Sequence, residues 1–194
     1  MTDVHAPAPV LSAFGFSPSA ATEPLEGGLI NKTYLVEEGG RRTVLQRLHT
    51  IFKPTVHLDI DVITAHLERK GMNTPRLVKT TSAELWFTDG DGACWRMLTW
   101  LPGRTVHVVE RPETARAAGA LVARFHNAVA DLNHTFNFSR PGAHDTPAHL
   151  DRLKRALAEH TSHANHAAVS LVGEAIVKHW ETLEKIRGLP TRII

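Results

Sequence analysis

Residues 26–47 read EGGLINKTYLVEEGGRRTVLQR, and this stretch decides the fold of the first half of the chain. Residues 31–36 alternate well enough for a half-buried strand, with Tyr34 and Val36 on one face, and residues 42–48 are interpreted as a second strand. The glycine pair Gly39-Gly40 lies between them, in a segment with the composition of a tight turn. The sequence therefore predicts a β-hairpin.

A second glycine pair, Gly27-Gly28, comes just before the first strand of this hairpin. Glycines at such a position let backbone N–H groups approach a ligand closely, and N–H groups that point the same way favour phosphate oxygens. The side chain of Asn31 adds a further donor. An ordinary turn also favours two glycines, and taken alone it is the simpler explanation.

The second strand ends in Gln46-Arg47. Protein kinases carry a lysine on the strand that follows the phosphate-binding hairpin, where it contacts the α- and β-phosphates. Gln46 occupies the corresponding position here. Because successive side chains of a strand point to opposite faces, Arg47 is expected on the other face of the sheet.

The remaining segments predict an α+β fold that divides near Pro102-Gly103. Residues 1–24 are rich in alanine and proline and are interpreted as a lead-in segment. We expect a lobe at 25–101 with a five-stranded antiparallel sheet and one helix, and a hinge and helical part at 102–194. The predicted elements outside the hairpin are a helical turn near 10–16, a helix at 59–70, extended segments at 75–78, 84–87 and 94–100, helices at 113–132, 148–159 and 167–187, and a long loop at 133–147.

The composition narrows the class of protein. The net charge is +2, and no lysine- and arginine-rich run with interleaved aromatic residues occurs, so nucleic acid is not an expected partner. No stretch approaches the ~20 apolar residues of a membrane span, and the first residues lack the pattern of a signal peptide. The single cysteine, Cys94, excludes an internal disulfide and agrees with a reducing compartment. We therefore expect a cytoplasmic protein that uses neither nucleic acid nor a membrane.

The segment Met97–Gly103 is a strand that runs directly into a Pro-Gly break. Such a segment suits a connection between two lobes, and its free backbone N–H and C=O groups could pair with the edge of an adenine. An ordinary domain linker is the alternative interpretation.

Four segments, in this order, resemble those of the aminoglycoside phosphotransferase and choline kinase superfamily of small-molecule kinases. Gly27–Val36 is similar to that family's first hairpin, and Val44–Arg47 to its third strand. Arg96–Thr105 is similar to its hinge, and Gly119–His126 to its "leucine-x-arginine-leucine-histidine" helix. The Gln46-Arg47 variant and the phrase Ala143-His144-Asp145-Thr146 place the resemblance nearest to the branch of N-acetylhexosamine kinases.

The resemblance implies a protein-kinase-like fold and transfer of the γ-phosphoryl group of ATP, or of GTP, to a hydroxyl of a sugar, amino sugar or similar molecule, with Mg2+. It implies an acidic partner for the third strand on the first helix, either Asp59 or Asp61. It also implies a nucleobase hinge and a phosphate site, and His144 and Asp145 are candidate acceptor-side residues, although a turn-capping role for Asp145 is the simpler alternative. The hinge residues are Met97, Thr99, Trp100 and Leu101, and the phosphate-binding residues are Gly27, Gly28, Asn31, Gln46 and Arg47.

The family's catalytic loop, His-x-Asp followed by Asn, has no counterpart in the sequence. His57-Leu58-Asp59 is followed by Thr64 at the asparagine position, and His149-Leu150-Asp151 by Ala156. The final residues, GLPTRII, resemble the turn and strand that lead into that loop. We therefore expect a chain truncated before the catalytic loop, with no catalytic residue or Mg2+ ligand of its own and no activity in isolation.

Two alternatives remain open. One is a non-catalytic nucleotide-binding or interaction module, which self-associates through apolar faces of the helices at 113–132 and 167–187. The other is a metal-binding protein that uses His160, His163 and His166, which are spaced by three. A solvated connector is the simpler interpretation of those histidines, so no metal site is expected.

Overall fold

The computed structural model describes residues 5–26, 28, 30–140, 142–143 and 145–183. The predictions for Gly27, His144 and the GLPTRII end therefore lie outside the described residues. The chain divides into two compact units, one reaching Phe138 and the other beginning at Ser139. The first unit thus contains the sheet and also the first helix after the expected hinge.

The first unit is built on a six-stranded antiparallel sheet, which confirms the α+β class but with one strand more than expected. The strands follow the order β1-β2-β3-β6-β4, and β5 pairs separately with β6. The elements are α1 (Ala8–Ala13), β1 (Ala21–Pro24), β2 (Lys32–Glu38), β3 (Arg41–Arg47), α2 (Val56–Arg69), β4 (Leu77–Val78), β5 (Phe87–Thr88), β6 (Cys94–Thr99) and α3 (Pro112–Ala128).

The predicted hairpin is present as β2 and β3. Its pairs run from Lys32↔Arg47 to Glu38↔Arg41. Gly39 and Gly40 have φ values of 57° and 79°, a conformation that glycine adopts without steric cost and that two-residue hairpin turns require. The glycine pair therefore fixes the register of the two strands.

The extra strand comes from the segment interpreted as a lead-in. Ala21–Pro24 pairs with β2 along one edge of the sheet. Proline is tolerated there because an edge strand leaves one row of backbone groups without a ladder partner. With only four residues and a terminal proline, β1 is too short to show a clear alternation.

One face of the sheet carries the core of the first unit. Val10 and Leu11 of α1, together with Phe14 and Phe16, pack against this face. The sheet residues in the cluster alternate along their strands: Tyr34 and Val36 of β2, Leu45 of β3, and Trp95 and Met97 of β6. Burial of each large apolar side chain contributes about 1.5–3 kcal/mol. The residues between them necessarily point to the opposite face, where the candidate site lies.

Helix α2 is held by the end of α3 and by the segment that follows it. His66 Nε2 lies 2.9 Å from the carbonyl oxygen of Ala128 and 3.0 Å from Asp131 Oδ1, and Lys70 also pairs with Asp131. Nearer the start of α2, Asp59 accepts hydrogen bonds from residues 134–138. The helix is therefore fixed to its surroundings at both ends.

The second unit contains α4 (Thr146–Glu159) and α5 (His166–Leu183). The two helices approach closely at Gly173, where an added Cβ would lie 3.0 Å from Leu157 and 3.6 Å from Leu153. Helix α5 was predicted to reach residue 187, and the last four positions of that range lie outside the described residues. Within the described ranges, no helix combines the length and the apolar character needed to cross a membrane.

Candidate functional site

Three polar side chains lie side by side on the sheet face opposite α1. Thr33, Gln46 and Arg96 are cross-strand neighbours on β2, β3 and β6. Gln46 donates from Nε2 to Thr33 Oγ1 at 3.1 Å and accepts from Arg96 Nε at 2.9 Å. These two bonds fix the amide of Gln46 with its oxygen toward the arginine. We call this row the polar trio.

The polar trio carries the positive charge of Arg96, and no carboxylate of the described residues pairs with it. Among the residues that the structure describes, no aspartate or glutamate forms an ion pair with Arg96. Burial lowers the pKa of Arg96, which shows that its surroundings disfavour the charge. A guanidinium nevertheless stays protonated in proteins. An anion beside the trio would therefore be stabilised.

His57 of α2 lies close enough to Arg96 for the positive charge to affect its pKa. Its ring is fully buried and stacks on Trp86 with the centroids 5.5 Å apart, and its Nδ1–H donates to the carbonyl oxygen of Pro54 at 2.6 Å. Burial lowers the pKa of His57 to about 4, the Pro54 bond opposes that shift, and the charge of Arg96 adds to it. His57 is therefore neutral at pH 7, and its Nε2 is buried without a hydrogen-bond partner in the described structure.

The glycine loop before β2 depends on Gly28. A Cβ at this position would lie 2.9 Å from the carbonyl oxygen of Asn31, which is closer than real Cβ atoms approach backbone. Leu25 N donates to the carbonyl oxygen of Thr33 at 2.8 Å and closes the loop. Asn31 accepts from His49 N through Oδ1 at 2.9 Å, so its Nδ2 amino group is the part oriented for other partners. Glycine is therefore required at position 28 for steric reasons, whether or not a ligand binds there.

Arg47 lies on the other face of the sheet, as the alternation predicted. Its guanidinium is 6.0 Å from the centroid of Trp95, within the α1-side layer. Its charge also acts on Asp89: burial raises the pKa of that carboxyl, but the Trp95 indole, two backbone N–H groups and Arg47 lower it below its usual value. The sheet therefore separates Gln46 from Arg47, and only Gln46 belongs to the polar trio.

Both acidic candidates on α2 are engaged by other residues. Asp59 is buried and accepts four hydrogen bonds of 2.8–2.9 Å from His134, Asn137 and Phe138. Burial raises the pKa of Asp59, and these bonds outweigh that effect and lower it. Asp61 pairs with Arg76 at 3.5 Å. The charge of Arg96 acts instead on the pKa of His57, which the sequence predicted only as part of a catalytic-loop pattern that lacks its asparagine.

The four hinge residues have different roles in the structure. Met97 is fully buried in the core and pairs in the sheet, and Thr99 is bonded to Arg76 through both its backbone N–H and its hydroxyl. Trp100 and Leu101 follow the end of β6, and the guanidinium of Arg42 lies 4.9 Å from the Trp100 ring. A hinge contact to a ligand therefore fits Trp100 and Leu101 better than the two residues before them.

The sequence candidates in the second unit have structural roles where they are described. Asp145 caps α4 by accepting from Ala148 N at 3.1 Å, which is the simpler of its two interpretations. His166 Nε2 donates to the carbonyl oxygen of Leu157 at 2.9 Å. Across the described positions, no group of three or more histidines, cysteines and acidic residues could hold a metal ion.

Comparisons with known proteins agree with this architecture. The model of the phosphotransferase enzyme family matches residues 21–194. The structure of a microcompartment-associated aminopropanol kinase is similar with a TM-score of 0.57 at 18% identity, over 78% of this chain and 55% of that one. An aminoglycoside phosphotransferase from Alicyclobacillus acidocaldarius has a TM-score of 0.56 at 20% identity, over 82% and 44%. Amicoumacin kinase hAmiN, solved with AMP-PNP, Ca2+ and Ami, has a TM-score of 0.54 at 18% identity, over 71% and 48%. The chain thus spans about half the length of these structures, and it shares their fold.

Proposed function

The chain belongs to the phosphotransferase enzyme family, and from this premise we propose that the sheet face bearing the polar trio binds the phosphates of a nucleotide. The reaction served is transfer of the γ-phosphoryl group of ATP, or of GTP, to a hydroxyl of a sugar, amino sugar or similar small molecule. The observation that carries the proposal is the charge of Arg96, which has no counter-ion among the described residues and is linked through Gln46 and Thr33 to a loop that requires Gly28.

The phosphate-binding candidates of the sequence each have a place in this proposal. Gly27, Gly28 and the Nδ2 amino group of Asn31 would lie over the phosphates, and Gln46 orients the polar trio. Arg47 acts from the opposite face and contributes only its long-range charge. The nucleobase binds along the backbone of Trp100 and Leu101, just beyond β6.

Magnesium belongs to the proposed reaction, but the described residues offer no acidic cluster for it. We therefore assign no Mg2+ ligand and no catalytic base within them. Since the sequence also lacks the His-x-Asp-x-x-x-x-Asn pattern, the 194 residues alone are proposed to bind nucleotide without transferring phosphate. The single cysteine and the use of ATP suit a cytoplasmic location.

The acceptor is proposed from the resemblance to N-acetylhexosamine kinases. Two similar structures carry the names of aminopropanol and amicoumacin kinases, which is compatible with a hydroxyl acceptor that bears nitrogen. His144 is kept as an acceptor-side candidate, whereas the side chain of Asp145 is engaged by α4.

Calorimetric titration of the 194-residue chain with ATP, GTP and adenosine tests the proposal. We expect saturable binding of the nucleotides, and a rise in the melting temperature with their concentration. A parallel assay of phosphoryl transfer over a panel of sugars and amino sugars is expected to give none. The absence of any nucleotide binding would refute the proposed function, and robust transfer would refute the proposed inactivity.

One observation favours the alternative of an interaction module. Helix α5 exposes Leu171, Val172 and Ile176, with exposed fractions of 75%, 57% and 49%. An apolar face of this kind on a helix is typical of a surface that associates with a second copy. Light scattering over a range of concentrations tests this alternative, and a monomer at every concentration rejects it.

A further inference from the structure

We infer that Arg96 of β6 provides the cation that contacts the nucleotide phosphates. Strand β3 has no cation for this contact, because it carries the uncharged Gln46 at the corresponding position. The inference rests on the proposed function, and it assigns the phosphate contact to a residue of a different strand. Neither Gln46 nor Arg47 can fill this role, because one is uncharged and the other lies on the opposite face.

The register of the sheet brings the two positions together. Gln46 and Arg96 are direct cross-strand partners between β3 and β6, and their side chains share one face. Directly opposed residues of this kind have Cβ atoms about 4.5–5.5 Å apart. An arginine on β6 therefore reaches the space that a lysine at position 46 would occupy. The hydrogen bond from Arg96 Nε to Gln46 Oε1 at 2.9 Å shows that the two side chains meet.

Among the described residues, Arg96 has no counter-ion, in contrast to Arg42 and Arg76 of the same unit. Arg76 pairs with Asp61 and Glu68, and Arg42 pairs with Glu37. For Arg96, no such pair exists within the described part of the chain. A half-buried cation without a partner is unfavourable, and binding of an anion removes that cost. The position is thus suited to a ligand rather than to the stability of the protein alone.

The groups around Arg96 do not neutralise it at pH 7. Thr33 and Gln46 are uncharged, and burial keeps His57 neutral by lowering its pKa to about 4. Cys94, on the same strand, remains a thiol because burial raises its pKa to about 11. His57 and Cys94 are therefore uncharged at pH 7, and the positive charge of Arg96 is available to a ligand.

The geometry also suits phosphate. Gln46 holds the Nε–H of Arg96, which leaves the two terminal amino groups of the guanidinium to donate. A guanidinium with two parallel donors matches the spacing of phosphate oxygens and forms charge-assisted bonds that are stronger than neutral ones. Gln46, which accepts from Arg96, also donates to Thr33 at the base of the glycine loop, so the guanidinium is linked to that loop.

Calorimetric titration of the wild type, Arg96→Met and Arg41→Met with ATP, ADP and adenosine tests the inference. Arg41 is a matched control because it begins the same β3 and its guanidinium lies over Phe16, on the α1 side. We expect Arg96→Met to weaken ATP and ADP binding by about 10- to 100-fold, the loss for one charge-assisted contact, and to leave adenosine within about twofold. Arg41→Met is expected to behave as the wild type.

A charge swap separates a ligand contact from a structural role. The double variant Gln46→Lys with Arg96→Gln moves the cation across the pair, and it is expected to recover most of the lost ATP affinity. Equal ATP binding by the wild type and Arg96→Met would overturn the inference and leave the proposed function standing. A wild type that binds neither ATP nor adenosine would overturn both.

A measurement on the wild type covers the case in which the Arg96 variants do not fold. In 15N-labelled protein, the side-chain Nε–H signal of Arg96 is expected to shift on addition of ATP but not of adenosine. An unchanged signal at saturating ATP would overturn the inference.

Discussion

The two faces of the sheet in the first unit have opposite characters although they arise from alternate residues of the same strands. Tyr34, Leu45 and Met97 point toward α1 and are buried in the core, whereas Thr33, Gln46 and Arg96 point away from it. One face removes apolar area from water, and the other keeps a charge that has no counter-ion among the described residues. Substitutions on the two faces should therefore separate stability from ligand binding one residue at a time.

The largest effect is expected on the α1 face. Leu45→Ala removes a fully buried side chain from the centre of the core and should lower the free energy of unfolding by about 2–5 kcal/mol. Arg96→Met, on the opposite face, should not lower it, since it removes an unpaired charge. Urea denaturation of both variants measures the contrast, and equal losses of stability on the two faces would contradict it.

A smaller loss of stability is expected for Asp59→Asn. The carboxylate of Asp59 accepts four hydrogen bonds, and an amide cannot accept all of them, so we expect a loss of about 1–3 kcal/mol. Because the pKa of Asp59 is lowered in the folded state, its contribution is present above the unfolded pKa, near 3.8, and is lost as the pH falls below it. Between about pH 5 and pH 3, where carboxyl groups titrate, the free energy of unfolding of the variant should therefore depend less on pH than that of the wild type. Denaturation at several pH values in this range measures the difference. Asp61→Asn is the control, with a side chain that is partly exposed.

The buried His57 should make the stability of the protein decrease at acidic pH. Its pKa is lowered from 6.5 to about 4 in the folded state, so the unfolded chain binds more protons between these values. The protein should therefore lose stability as the pH falls from 6.5 toward 4. His57→Phe keeps the stacking on Trp86 and removes the titration. A variant whose stability falls over this range as steeply as that of the wild type would show that His57 is not responsible.

The smallest effect on stability is expected in the glycine loop. Gly28→Ala places a Cβ 2.9 Å from the carbonyl oxygen of Asn31, so the loop must shift. We expect weaker ATP binding and a change in unfolding free energy of about 1 kcal/mol or less. Gly90→Ala is the matched control, since no atom lies within 4 Å of its added Cβ. Titration of both variants with ATP checks the prediction, which fails if the two bind alike.

The sequence predicted the parts of the site that depend on local pattern. Alternation along β3 placed Gln46 and Arg47 on opposite faces, and the structure confirms this arrangement. The hairpin followed from an alternating segment, a second predicted strand and the Gly39-Gly40 turn between them. The four-residue β1 was missed because so short a strand with a proline has no readable period.

The parts that could not be predicted depend on contacts between distant positions. Arg96 follows Gln46 by 50 residues in the sequence, and only the register of β3 with β6 brings the two side chains into contact. Asp59 or Asp61 was expected as the acidic partner of the third strand, whereas the hydrogen-bond partners of Asp59 are 75 to 79 residues further along the chain. The alternation along a strand predicts which of its residues share a face, but it does not predict which other strand will lie beside that strand.

Chemical-shift mapping of the wild-type protein with ATP reports both faces of the sheet in one experiment and so tests whether the polar trio binds the nucleotide. We expect side-chain signals of Gln46 and Arg96 to shift on titration, together with the backbone signals of Gly28 and Thr33. The methyl signals of Val36, Leu45 and Met97, which face α1, should stay in place. Shifts confined to the α1 face, or no shifts at saturating ATP, would contradict it.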